Sequence, residues 1–157
     1  RPPRVGDRDG VEYHFVSHDE FCRRREAGDF LEWKEVFGRG DLYGTLRNET
    51  AAGLAAGKWI ILEIDVEGAL AVLDQHPDAV TIFVHPGSME ELEQRLRGRG
   101  TESAESIQRR LAVARREMEC KDRYRFEVIN DFKDRAVQEI CEILLSHAGD
   151  PNACSTN

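Results

Sequence analysis

The sequence is poor in the features that would tie it to a membrane, an oxidising compartment or a polyanion. No run among its 157 residues approaches the roughly 18 consecutive apolar positions of a membrane-spanning helix. Cysteine is scarce: Cys22, Cys120, Cys141 and Cys154 form no Cys-x-x-Cys pair, too few for a disulfide scaffold. The five histidines do not stand at ligand spacing from them, which argues against structural zinc. The opening Arg1-Pro-Pro-Arg4 has no apolar signal-peptide core, so a reduced, cytoplasmic chain is the expectation. Positive charge is in deficit, with 22 Lys and Arg against 30 Asp and Glu for a net −8. That balance speaks against general binding to nucleic acid or an anionic membrane.

What is present fits one globular domain. The length allows a real core, and 40% apolar with 33% charged residues is ordinary for a folded protein. The charge is uneven. Residues 95–125 hold ten Lys/Arg against five Asp/Glu, a local +5 that leaves −13 for the rest. An acidic chain with one arginine-rich segment points to a local anion site such as one for phosphate.

The periodicity changes along the chain. Val11 to Val16 alternates as a half-buried strand does. Ser17 and Glu20 form a capping box that predicts a helix over 18–26. Phe30 to Val36 reads as a strand, 37–43 as a hairpin-like loop, and the alanine-rich 48–56 as a helix stopped by Gly57. Trp59 to Val66 is nearly all apolar, as in a strand buried on both faces, and Val80 to Val84 reads as a second one. A short helix over 68–73 lies between them. Ser88 and Glu91 cap a helix carrying Leu92 and Leu96, which Gly98-Arg99-Gly100 breaks. A helix over 106–118, a third strand over 126–129 and a final helix near 136–144 complete the pattern. Strands alternating with helices imply an α/β fold with a parallel sheet.

The opening segment spaces its chemistry as Arg1-x-x-Arg4-x-x-Asp7-x-x-Gly10-x-x-Tyr13-x-Phe15-Val16-Ser17. Two guanidinium forks and a phenol can converge on one phosphate; on spacing alone a solvated loop with two surface arginines is the simpler reading. The run nevertheless resembles, position by position, the signature of the guanylate kinases. The resemblance continues through Phe30-Leu31-Glu32-Trp33, Tyr43-Gly44-Thr45, Leu62-Glu63-Ile64-Asp65-Val66-Glu67-Gly68, Arg95-Leu96-Arg97-Gly98-Arg99-Gly100-Thr101 and Val128-Ile129-Asn130-Asp131. These blocks stand in the family's order over residues 1–147.

The resemblance implies an ATP-dependent transfer of phosphate to GMP. It implies an α/β fold with a P-loop-NTPase-like parallel core flanked by helices, a small mixed α+β GMP-binding subdomain and a helical lid. The GMP-binding subdomain would span about 1–45, the core 46–94 and 126–147, the lid 95–125, with a polar tail over 148–157. Arg1, Arg4, Tyr13 and Tyr43 match positions that hold the GMP phosphate. Glu32, Thr45 and Asp65 match those that read guanine, whose N1–H and N2 amino group are donors that a carboxylate accepts. Adenine lacks that donor pair, and an unpaired buried carboxylate would disfavour it. Asp7 stands where the family usually has Glu and is read as a supporting residue. Asp65 also suits a cap on the helix that follows it.

Arg95, Arg99 and Arg110 match the family's lid arginines and would stabilise the transferring phosphoryl group of ATP. Asn130 matches a position at the adenine site and equally suits a turn after a strand. Mg2+ would accompany ATP. The interval from Glu32 to Tyr43 is about two residues longer than the family's pattern, by the same comparison. No G-x-x-x-x-G-K-[ST] phosphate loop occurs in the sequence. The resemblance therefore leads us to expect a further N-terminal strand–loop–helix segment of roughly 30 to 40 residues. Without it, slow turnover and unpaired strand edges able to pair with another copy are expected. The alternative is a guanylate-kinase-like interaction module; such modules usually lose the guanine readers and lid arginines that this sequence keeps.

Overall fold

The computed structural model describes residues 2–3, 6–11, 13–36, 40–98, 100 and 103–148. The chain forms two compact units, Arg1–Pro77 and Asp78–Asn157.

In the first unit, α1 (His18–Glu26) starts where the Ser17 side chain accepts a hydrogen bond from the Glu20 backbone N–H at 3.1 Å. Only half of the expected capping box forms, because the Glu20 carboxylate turns to Arg23 and Arg24 instead. The hydrogen bond from Arg24, helped by the charges of both arginines, outweighs the opposing effect of burial and holds the Glu20 carboxyl below its ordinary range. The strands β1 (Phe30–Val36) and β2 (Asp41–Leu46) pair antiparallel. The register shifts between Phe30 and Glu32. This bulge turns Phe30 to the side of Trp33 and Gly44, away from Glu32. There Phe21 of α1 stacks on Phe30 at 4.4 Å. Gly44 is required at this place, since a Cβ on it would lie 2.8 Å from Phe30 Cδ1 and 3.0 Å from the Glu32 carbonyl. Two helices follow, α2 (Arg47–Ala55) and α3 (Val66–Gln75).

Two expectations fail in this unit. The described residues of 11–16 do not form the expected strand; the Gly10 N–H bonds the Tyr13 carbonyl (2.8 Å), the Phe15 N–H bonds the Asp9 carboxylate (2.7 Å), and Tyr13 makes a single bridge to Asp9. The Asp9 side chain captures an N–H that a strand would offer to a ladder. Residues 59–65 are not a strand, and Trp59 and Ile61 are 46% and 78% exposed. An apolar run becomes a strand only when a ladder partner takes up its backbone groups, and 59–65 have none among the described residues.

The second unit is built on β3 (Ile82–His85) and β4 (Phe126–Ile129), paired parallel. Their pairing bears out the expected parallel sheet. Phe83 and Val128 are buried on opposite faces of the pair, whereas Val84, the register partner of Val128, is exposed, so β3 is not covered on both sides as its sequence suggested. The helices α4 (Met89–Gly98) and α5 (Ala104–Met118) pack Leu96, Ile107 and Leu111 together, with Met89 and Leu92 against them. Burial of Leu111, 2% exposed, contributes roughly 2–3 kcal/mol. Ser88 and Ser103 cap these helices through Glu91 and Ser106 backbone N–H groups. A 3-10 turn (Lys121–Arg123) precedes β4, and α6 (Lys133–Ala148) ends the described chain.

Candidate functional site

Strand alternation puts Glu32 and Lys34 on one face of β1. The register sets Thr45 opposite Glu32 and Tyr43 opposite Lys34, so four polar side chains share that face. The Thr45 hydroxyl donates to Glu32 Oε1 at 2.6 Å.

The N-terminus of α3 meets the same face. Asp65 is its N-cap, and Oδ1 accepts the Gly68 backbone N–H at 2.8 Å. The other oxygen, Oδ2, takes the Lys34 ammonium at 2.9 Å, which also reaches Glu67 at 3.2 Å. Glu32 arrives at the same point from the strand: a Cβ built on Gly68 would lie 2.9 Å from Glu32 Oε2 and 3.4 Å from Asp65 Oδ1. The absence of a side chain at Gly68 therefore makes room for two converging carboxylates. Burial disfavours the Lys34 ammonium, yet the hydrogen bonds and charges of Asp65 and Glu67 outweigh it and hold its pKa above the ordinary lysine value. The far end of α3 is pinned as well. Gln75 donates to the Leu31 carbonyl at 3.0 Å and accepts from Arg47, which also donates to the Phe30 carbonyl.

The structure thus brings Glu32, Thr45 and Asp65 together, as the sequence led us to expect, and gives Asp65 a capping role as well. Tyr13 and Tyr43 also meet, edge to face at 6.0 Å. Asp7 is half-buried in the turn that leads to Tyr13. Arg1 and Arg4 lie outside the described residues. Lys34 was not anticipated. The Glu32–Lys34 alternation in Phe-Leu-Glu-Trp-Lys-Glu-Val carried the signal, but it gained meaning only once α3 was seen to pack there.

In the second unit the arginine-rich segment is held by its own surroundings. Arg95 donates from Nε to Glu91 at 2.7 Å, from Nη1 to the Asn130 carbonyl at 2.7 Å and from Nη2 to the Asp131 carbonyl at 3.3 Å. The Asn130 backbone N–H is itself bonded to the His85 carbonyl at 2.8 Å. Arg95 and Asn130 are therefore neighbours, joined through the Asn130 backbone. Arg110 is half-buried on α5, and Arg99 lies outside the described residues. Arg97 pairs with Glu93 on the helix surface. His85 is 6% exposed; its Nδ1 accepts the Gly87 N–H and its Nε2 meets Glu127 at 2.8 Å. The Lys121 hydrogen bond first, with help from His85, holds the Glu127 carboxyl below its usual range. Among the described residues no group of three or more His, Cys, Asp or Glu could hold a metal ion, and no helix is long and apolar enough to cross a membrane.

The sequence profile of the guanylate kinase family matches residues 1–147. A guanylate kinase of Rhodopirellula baltica is 58% identical over 158 residues, covering 100% of this chain and 75% of that protein. One from Symbiobacterium thermophilum is 49% identical, covering 93% of this chain and 68% of that protein. The crystal structure of guanylate kinase from Anaplasma phagocytophilum superposes with a TM-score of 0.80 at 29% identity, over 98% of this chain and 73% of that one.

Proposed function

The chain belongs to the guanylate kinase family, and on that premise we propose that Glu32, Thr45 and Asp65 read the guanine of GMP. The observation that carries this is the convergence of Glu32 and Asp65 beside Gly68, with Thr45 fixing the Glu32 carboxylate. Carboxylates accept the N1–H and N2 amino donors of guanine, and the Thr45 hydroxyl can turn toward the base. AMP offers no such donor pair and leaves the carboxylates unsatisfied. Tyr13 and Tyr43 donate to the GMP phosphate, with Arg1 and Arg4 adding charge and Asp7 in support.

ATP is the phosphate donor. Arg95, Arg99 and Arg110 face its phosphates and stabilise charge on the transferring group, and Asn130 lies by the adenine. In this assignment residues of about 1–45 bind GMP, 46–94 and 126–147 form the core, and 95–125 the lid. Arg95 must exchange its carbonyl partners for phosphate oxygens. Mg2+ travels with ATP; the described residues do not form a protein site for it, and no step is assigned to one. The chemistry is that of a cytoplasmic enzyme, and unpaired strand edges would let two copies associate.

The sequence carries no glycine-rich phosphate cradle. These 157 residues are therefore expected to bind GMP well and to turn it over slowly. The test is ADP formation from ATP and GMP with the chain as it stands. Slow turnover is expected; turnover at ordinary kinase rates of about 1–100 per second would refute the expectation.

A further inference from the structure

Lys34 belongs to no motif of the family resemblance, yet it sits inside the cluster on which the guanine-reading proposal rests. It occupies the face of β1 that carries Glu32, opposite Tyr43 of β2. Its ammonium spans Asp65 at 2.9 Å and Glu67 at 3.2 Å at the start of α3. Only about a quarter of its side chain is exposed. Asp65 Oδ1 is engaged by the Gly68 N–H, so Lys34 fixes the one oxygen the helix leaves over.

Glu32 and Asp65 converge beside Gly68, and guanine presents donors, so each carboxylate must be held with an oxygen turned to the base. The helix start holds Asp65 by one oxygen only, and Lys34 holds the other.

We propose that Lys34 is a positioning residue for guanine recognition: it locks the Asp65 carboxylate in the orientation in which the base meets it. This rests on the reading of Glu32, Thr45 and Asp65 as the guanine site. A simple structural ion pair would instead affect melting and leave GMP selectivity unchanged.

Calorimetric titration of the whole chain with GMP and with AMP, alongside thermal melting, tests it. Lys34→Met should weaken GMP binding about tenfold. AMP binding should not change, and Lys34→Arg should restore GMP binding. Glu67→Gln, which removes only an exposed partner, should keep GMP affinity within about twofold. Should Lys34→Met unfold, Lys34→Gln carries the same expectation, and failure of both to fold would make the role structural and overturn the proposal. A folded Lys34→Met that binds GMP as the wild type does would also overturn it, as would Lys34→Arg failing to rescue. A wild-type chain that does not prefer GMP to AMP defeats the guanine reading itself, and so is distinguishable from failure of the Lys34 proposal alone.

Discussion

The two units use charged side chains in opposite ways. In the first, Glu32, Lys34 and Asp65 gather around Gly68, leaving a compact set of acceptors whose geometry is fixed from both ends of α3. In the second, Arg95 is held by Glu91 and by the carbonyls of Asn130 and Asp131, and the packed centre is apolar. Recognition of a base needs acceptors fixed before the ligand arrives, because each misplaced group forfeits its hydrogen bond. An arginine that meets a mobile polyphosphate can rest on weaker neutral partners and leave them for charged oxygens. On the proposed reading, the difference teaches that base selection is built into the folded first unit, whereas phosphate handling in the second requires an exchange of partners.

The sharpest way to break this comparison is to damage each unit and ask which property suffers. Leu111→Ala opens a cavity in the apolar centre of the second unit and should cost about 2–5 kcal/mol of stability, read by thermal melting. GMP affinity measured well below the melting temperature should stay within about twofold, since the lesion touches none of the guanine acceptors. Glu32→Gln keeps the shape of the site and replaces one acceptor by a donor. It should cost about 1.5–3 kcal/mol of GMP binding by calorimetry with little change in melting. Gly68→Ala is the smallest of the three. Its Cβ would press on Glu32 Oε2 at 2.9 Å, so GMP affinity should fall by about tenfold, or ~1.4 kcal/mol. Alanine is the better helix former, so α3 itself should not weaken. Loss of helix content in that variant would shift the role of Gly68 from the carboxylates to the helix.

Local signals in the sequence were read most successfully. Ser17 and Ser88 begin their helices where expected, because a cap is decided by residues three apart. The strand Phe30–Val36 was legible from its own composition and its flanking turn. Residues 59–65 were not, because their apolar character says nothing of where a ladder partner lies. The strand expected over 11–16 is not found among the described residues there, because the Asp9 side chain takes up a strand's hydrogen bond. The cluster of Glu32, Thr45 and Asp65 was legible only through family resemblance; what assembles it is the bulge after Phe30 and the packing of α3, which no short pattern encodes. Lys34 shows the same limit, since its partners lie about thirty residues away. For Arg95, the Glu91 partner could be read from a spacing of four residues, whereas the carbonyls of Asn130 and Asp131 could not.

The central claim is that the face formed by Glu32, Thr45 and Asp65 selects guanine. Titration of the unmodified chain with GMP and with AMP under the same conditions tests it most directly. GMP should bind at least about a hundredfold more tightly, the scale set by leaving buried acceptors unpaired. Equal affinity for the two nucleotides would contradict the account.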